Sequence, residues 1–159
     1  SDYDKVNLPD GAHFRVGIVV SKWNSEITHA LRDGAISVFN DAGIAPKDLL
    51  IREVPGAFEL PLAAQWMLNG EEPLNAVIAI GAIIRGETAH FDHVCQAASQ
   101  GILRVGLDTG KPVVFCVLTD DHIDQSRARS GGKLGNKGIE AAVACLEMLS
   151  LKRDLGTHA

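Results

Sequence analysis

Residues 75–84 read NAVIAIGAII, and they run straight into Arg85-Gly86-Glu87-Thr88-Ala89-His90-Phe91-Asp92-His93. A run this long, with almost no polar side chain and no alternation, fits a strand covered on both faces, and such strands belong to parallel sheets. A plain connector after it would need only the glycine. The arginine, the threonine and the two histidines in that turn need a separate explanation.

Working outward, RVGIVV (15–20) is a second buried-type strand, LLIREV (49–54) a more polar one, and PVVFCVLT (112–119) a fourth. Helical periodicity lies between them. Ile27, Ala30, Leu31, Ala35, Val38 and Phe39 recur at i, i+3, i+4 spacing, and Gly43 is a natural stop. VPGAFEL opens a short helix ending near Gly70. Val94, Ala98, Ile102 and Val105 mark the helix after the opening stretch. Two more, about 122–130 and about 137–150, close the chain, the last with Ala141, Ala142, Cys145, Leu146 and Leu149 inward.

Strands alternating with helices give an α/β fold, a three-layer α/β/α sandwich on a four-stranded parallel sheet. The flavodoxin-like order 2-1-3-4 centres the two most apolar strands and leaves the mixed strand 49–54 at one edge. Strand 112–119 at the other edge is too apolar to face water, which points to a cover such as another subunit. Residues 1–12 read as an extended arm and 13–159 as a single domain.

The chain has 159 residues, 46% hydrophobic and 22% charged, an ordinary globular composition. A net charge of -5 supplies no basic field for nucleic acid. Cys95, Cys116 and Cys145 are an odd count at unrelated spacings and read as reduced core residues. No apolar run reaches a membrane span, and SDYDKVNLPDG lacks a signal-peptide core, so a cytoplasmic protein is expected.

In such sheets ligands bind outside the carboxyl ends of the strands. Those ends carry Lys22-Trp23-Asn24, Pro55-Gly56-Ala57-Phe58-Glu59, Arg85 to His90, and Asp120-Asp121-His122. Each has a structural reading beside the functional one. Trp23 is a hydrophobic staple or a ligand platform. Asn24 and Ser25 suit an N-cap. Phe58 plugs the end of a helix or lines a pocket, and Glu59 favours a helix dipole in either case. His90 at a helix start is structural or a proton carrier. His90, His93 and Cys95 lack a fourth ligand and make a poor metal set.

Arg127 to Gly138 packs four cations and four glycines between two helices. It is either a flexible connector or a phosphate site with Arg129 as a fork. Neither a Walker A pattern nor GxGxxG is present. These residues together describe a pocket for a small anionic, partly aromatic ligand.

VPGAFELP (54–61), AIGAIIRGETAHFDHVC (79–95) and GGKLGNKG (131–138), preceded by Trp23-Asn24, resemble the lumazine synthase family from about residue 15 to 151. The resemblance implies condensation of 5-amino-6-ribitylamino-2,4-pyrimidinedione with 3,4-dihydroxy-2-butanone 4-phosphate to 6,7-dimethyl-8-ribityllumazine, with loss of phosphate and water. It implies no cofactor and no metal. It also implies a ring-shaped pentamer with active sites between subunits, a sixty-subunit shell in many members, and riboflavin synthase as a candidate partner.

By the same resemblance, Trp23 stacks on the pyrimidine, while Asn24, Gly56, Ala57, Phe58 and Glu59 hold the ribityl chain. Ile83 and Ile84 offer backbone groups to the pyrimidine edge, Phe115 arrives from the adjacent subunit, and Lys137 adds a ligand contact. Gly86, Glu87, Thr88 and Arg129 bind the phosphate, and His90 moves protons. Four positions depart from the family pattern. Asp120-Asp121 is more acidic, Ala128 replaces a more usual glutamate, and Leu134 stands where shell-forming members carry a smaller residue or histidine. No residue is inserted between Arg129 and Lys137, which keeps the tight turn compatible with a shell.

Two rivals belong to other classes. A non-catalytic flavin- or lumazine-binding protein, or a storage shell, would keep Trp23 and Phe58 but need neither His90 nor Arg129. A flavodoxin-like signalling module would need an acidic cluster at the end of the first strand, which offers only Lys22.

Overall fold

Strand β1 (Val16–Ser21) leads into helix α1 (Ser25–Asp41), and a short 3₁₀ turn (Pro46–Asp48) precedes β2 (Leu49–Val54). A second 3₁₀ turn (Ala57–Glu59) opens α2 (Leu60–Leu68). Then come β3 (Ala76–Ile84), α3 (His90–Thr109), β4 (Val113–Asp120) and α4 (Ile123–Arg129). Two short strands, β5 (Ser130–Gly132) and β6 (Gly135–Asn136), precede α5 (Lys137–Asp154). This computed structural model describes residues 2–156. Residue 1 of the expected arm and residues 157–159 of the expected domain lie outside the described residues.

The main sheet has the expected order, β2-β1-β3-β4, with every pair parallel. The period-two geometry of a strand sends alternate side chains to opposite faces, and here both faces are covered. On one face Ile18, Val20, Ile78, Ile80 and Leu118 pack with Leu31 and Phe39 of α1 and with Cys145 and Leu146 of α5. On the other, Val19, Val77, Ala79 and Val117 pack with Leu60 and Leu68 of α2 and with Ile102 and Val105 of α3. That is why residues 75–84 show no polar alternation. Full burial of one such aliphatic or aromatic side chain is worth about 1.5–3 kcal/mol before entropy is counted.

The helix faces follow the sequence periodicity closely. All five residues expected inward on α5 are buried. On α1, Thr28 is buried and Ala30 only half-buried. Gly43 takes the left-handed φ of 88° just past the end of α1, a conformation that glycine adopts without a Cβ clash. Cys116 and Cys145 are buried, and burial pushes both thiols up to about 12. Residues 2–12 contain no strand or helix and lie against the end of α1. There the Gly11 amide donates to the Ala42 carbonyl at 2.8 Å, the Tyr3 hydroxyl donates to Asp41, and Lys5 sits 3.4 Å from the Asp41 carboxylate.

The segment 127–138 is not a loose connector. β5 and β6 pair antiparallel, and the Leu134 amide donates to the Ala128 carbonyl at 2.8 Å. A Cβ on Gly132 would lie 2.6 Å from the Arg127 carbonyl oxygen, so only glycine lets the hairpin sit against the last turn of α4. Asn136 then anchors the hairpin. Its Oδ1 accepts from the Gly138 and Ile139 amides at 2.8 and 3.2 Å, and its Nδ2 donates to the Ala30 carbonyl of α1 at 3.1 Å. Among the described residues no helix is long and apolar enough to cross a membrane.

Candidate active site

Because the four strands run parallel, their carboxyl ends share one rim, and the register places Ser21 beside Val54 and Ile84 beside Asp120. Trp23 is 73% exposed and Phe58 64%. Exposure at that level excludes the staple for Trp23 and the helix plug for Phe58, and it leaves both rings presented to solvent on the rim. Trp23, Gly56 and Glu59 adjoin one another. A Cβ on Gly56 would stand 3.3 Å from Glu59 Oε2 and 3.5 Å from Trp23 Cδ1.

Asn24 departs from the N-cap reading. Its backbone is left-handed (φ 58°, ψ 51°) and its side chain makes no capping bond. Instead Nδ2 donates to the Ala82 carbonyl of β3 at 3.1 Å. Asparagine tolerates this conformation better than most residues. The result ties the turn that carries Trp23 to the central strand, next to Ile83 (buried) and Ile84 (half-buried).

After β3 the chain surfaces. Arg85 through His90 are all exposed, and α3 starts at His90. The Thr88 hydroxyl oxygen accepts from the His90 amide at 3.4 Å. A Cβ on Gly86 would meet nothing within 4 Å, so open space lies over this turn. The first turn of a helix presents N–H groups that lack intrahelical acceptors, together with the positive end of the dipole.

The cation nearest to this turn is committed elsewhere. Arg85 Nε donates to Asp121 Oδ1 at 2.6 Å, Nη1 lies 3.6 Å from Asp92, and the guanidinium stands 4.4 Å from the Phe91 ring centroid. The hydrogen bond to Asp121 leads the causes that raise the Arg85 pKa further.

Phe115, Arg129 and Lys137 gather in a second place, a groove of about 430 Å³ along the outer edge of β4 beside the start of α5. The cavity that holds Trp23 and Asn24 is a different one. Phe115 is 43% exposed on the edge strand. Lys137 Nζ pairs with Glu140 Oε1 at 3.2 Å. Arg129 Nη1 donates to the Gln125 carbonyl at 3.0 Å and lies 3.6 Å from Asp120 Oδ1.

A bridge inside the chain joins the α1 end of the first group to the α4 end of the second. Arg127 donates to both carboxylate oxygens of Glu26, at 3.0 and 3.3 Å. Hydrogen bonding to Arg127, ahead of its charge, holds the Glu26 carboxyl below the usual carboxylate range.

All the expected site residues therefore reach the rim or the β4 edge; Trp23 and Asn24 line one cavity, and Phe115, Arg129 and Lys137 line another. Sequence reasoning noted Asp120 but assigned no role to it, to Ser126 or to Asn136. The acidic pair at the end of β4 was a visible signal. The roles of Ser126 and Asn136 depend on contacts that no local pattern encodes. Among the described residues no group of His, Cys, Asp and Glu side chains could hold a metal ion.

Residues 13–153 match the family described as 6,7-dimethyl-8-ribityllumazine synthase. Curated relatives of that name are similar over nearly the whole chain. The one from Christiangramia forsetii is 49% identical over 154 residues, covering 97% of this chain and 92% of the relative. The one from Porphyromonas gingivalis is 44% identical over 153 residues (96% and 94%). The one from Flavobacterium johnsoniae is 46% identical over 153 residues (96% and 80%).

Proposed function

We propose, on the premise that this chain belongs to the 6,7-dimethyl-8-ribityllumazine synthase family, that it condenses 5-amino-6-ribitylamino-2,4-pyrimidinedione with 3,4-dihydroxy-2-butanone 4-phosphate. The products are 6,7-dimethyl-8-ribityllumazine, phosphate and water, a step toward riboflavin. The observation that carries this reading is the split of the site. Trp23, Gly56 and Glu59 adjoin one another on the rim, where the exposed turn ending at His90 also lies, and a cationic, aromatic cluster (Phe115, Arg129, Lys137) occupies the β4 edge. Neighbouring copies around a ring, with the β4 edge of one against the rim of the next, join the two clusters.

In the assembled site the exposed indole of Trp23 stacks on the flat pyrimidine. Asn24 and the turn Gly56-Ala57-Phe58-Glu59 meet the ribityl hydroxyls, with the Glu59 carboxylate accepting. The backbone of Ile83 and Ile84 faces the pyrimidine edge, and Phe115 and Lys137 of the neighbouring copy close over it. Gly86, Glu87 and Thr88 present N–H groups and a hydroxyl to the phosphate at the start of α3, and Arg129 of the neighbour supplies the guanidinium fork.

The primary amine attacks the ketone to give a carbinolamine and then a Schiff base. A proton leaves carbon, phosphate is expelled, and the enol tautomerises to a ketone. The ribityl-bearing nitrogen closes the second ring with loss of water. Each step is a proton transfer, an elimination or a condensation, and one histidine at the mouth of the phosphate turn serves several of them. The chain is thus an enzyme of the transferase-type synthase class that needs no redox centre for this chemistry. The short β5–β6 turn keeps the surface around Arg129 compact, which suits a pentamer that stacks into a larger shell.

A mixing experiment tests the shared site. His90→Ala and Arg129→Ala chains are co-produced with separable tags, and oligomers carrying both are purified. In a head-to-tail ring of randomly mixed chains about one quarter of the sites regain both intact residues. Activity in the mixed oligomers well above that of either variant alone is the expected result. A mixture no better than its parents would place both residues in one chain's site and contradict the assembly.

A further inference from the structure

The acidic residue at the end of β4 has a specific neighbour. Asp120 is only 13% exposed at its side chain, its Oδ1 lies 3.6 Å from Arg129 Nη1, and its Oδ2 accepts from the Ser126 hydroxyl at 2.7 Å. Ser126 itself is completely buried in α4. We propose that Asp120, held by Ser126, is a positioning residue that presets Arg129 for a phosphate monoester; this rests on the reading of Arg129 given above.

Nη1 of Arg129 is taken up by the Gln125 carbonyl and faces Asp120, and among the described residues neither Nε nor Nη2 has a partner. The Nε–Nη2 edge can grip a phosphate with two parallel hydrogen bonds. A free arginine side chain loses much rotamer freedom when it binds, and an arginine already held at one corner loses less. Residue 128, beside Arg129, is alanine and offers no carboxylate of its own.

A carboxylate near a phosphate also repels it, so the two effects have opposite signs. Repulsion acts through the intervening guanidinium and across solvent-screened space, since Arg129 is one-third exposed. The buried Ser126 hydroxyl fixes Asp120 in place, so it cannot swing toward the ligand. Presetting therefore outweighs repulsion.

Binding of inorganic phosphate is measured by calorimetry on the assembled wild-type protein and on Asp120→Asn, Ser126→Ala, Arg129→Ala and Asp120→Asn/Arg129→Ala. KM for each substrate and kcat are measured in parallel. Asparagine keeps the shape and can still accept from Ser126 but carries no charge. Exposed or half-exposed ion pairs set the scale, so Asp120→Asn is expected to weaken phosphate binding and raise KM for the butanone phosphate about fivefold. KM for the pyrimidine and kcat stay within about twofold, and Ser126→Ala shifts the same constant in the same direction by less.

In the Arg129→Ala background the Asp120→Asn change adds nothing, because the two act as one unit. Phosphate binding that is unchanged or tighter in Asp120→Asn overturns the proposal. So does an equal loss with and without Arg129, which would mean that Asp120 acts through the fold. If Arg129→Ala itself leaves phosphate binding intact, the assignment of Arg129 falls and this inference falls with it. A large Arg129 effect beside a neutral Asp120→Asn sinks only the inference.

Discussion

Replacing His90 with alanine is expected to slow lumazine formation by about 10²–10⁴-fold while leaving turnover that can still be measured. A positioned proton carrier contributes on that scale. The other large contribution in a two-substrate condensation is orientation, worth about 7–11 kcal/mol at best. The groups that orient are not touched by the change. Trp23 and Asn24 come from the turn after β1, Gly56 to Glu59 from the turn after β2, and Arg129 from α4. His90 is exposed and uses its amide, not its ring, in the contact with Thr88, so removing the imidazole leaves the start of α3 intact. KM for both substrates should change little. A variant that binds both substrates, remains folded and has no activity at all would show that the imidazole does more than carry protons.

A second large effect is expected far from the chemistry, at Gly138. A Cβ there would lie 1.9 Å from the Leu31 carbonyl oxygen and 2.6 Å from its carbonyl carbon. These are backbone atoms of α1 that cannot rotate away, so the added methyl must push α1 and α5 apart. Overpacking a core usually costs about 1–3 kcal/mol, and a backbone clash belongs at or beyond the upper end. Gly138→Ala should therefore lower Tm by roughly 6–12 °C at about 3 kcal/mol for a chain of this size. Because Asn136 spans the same helix pair and anchors the β5–β6 hairpin, the loosened protein should also use the phosphorylated substrate less well. Thermal unfolding that matches the wild type would mean that the α1–α5 contact is softer than its geometry indicates.

The layered fold was legible because its signals are local. The unbroken apolar run of β3 reports two covered faces, and the 3.6-residue periodicity of α1, α3 and α5 reports one covered face each. The hairpin at 130–136 carried no such signal. It is too short to alternate, and Gly132 and Asn136 hold it through contacts with α4 and α1. Asn24 misled for the same reason, since its partner Ala82 lies on another strand. The exposure of Trp23 and Phe58 was equally hidden, because a staple, a plug and a ligand platform have the same sequence. The motif resemblance named those positions, and their surroundings came only from the folded chain.

The most direct measurement is an absorbance assay that mixes the purified protein with both substrates and follows the lumazine chromophore. A rate well above the uncatalysed condensation, lost when the butanone lacks its phosphate, is the expected result. It would tie the Trp23–His90 rim and the Arg129 edge to one reaction. No rate enhancement, with Trp23 fluorescence quenched by riboflavin, would contradict the enzyme and leave a protein that only binds the ring.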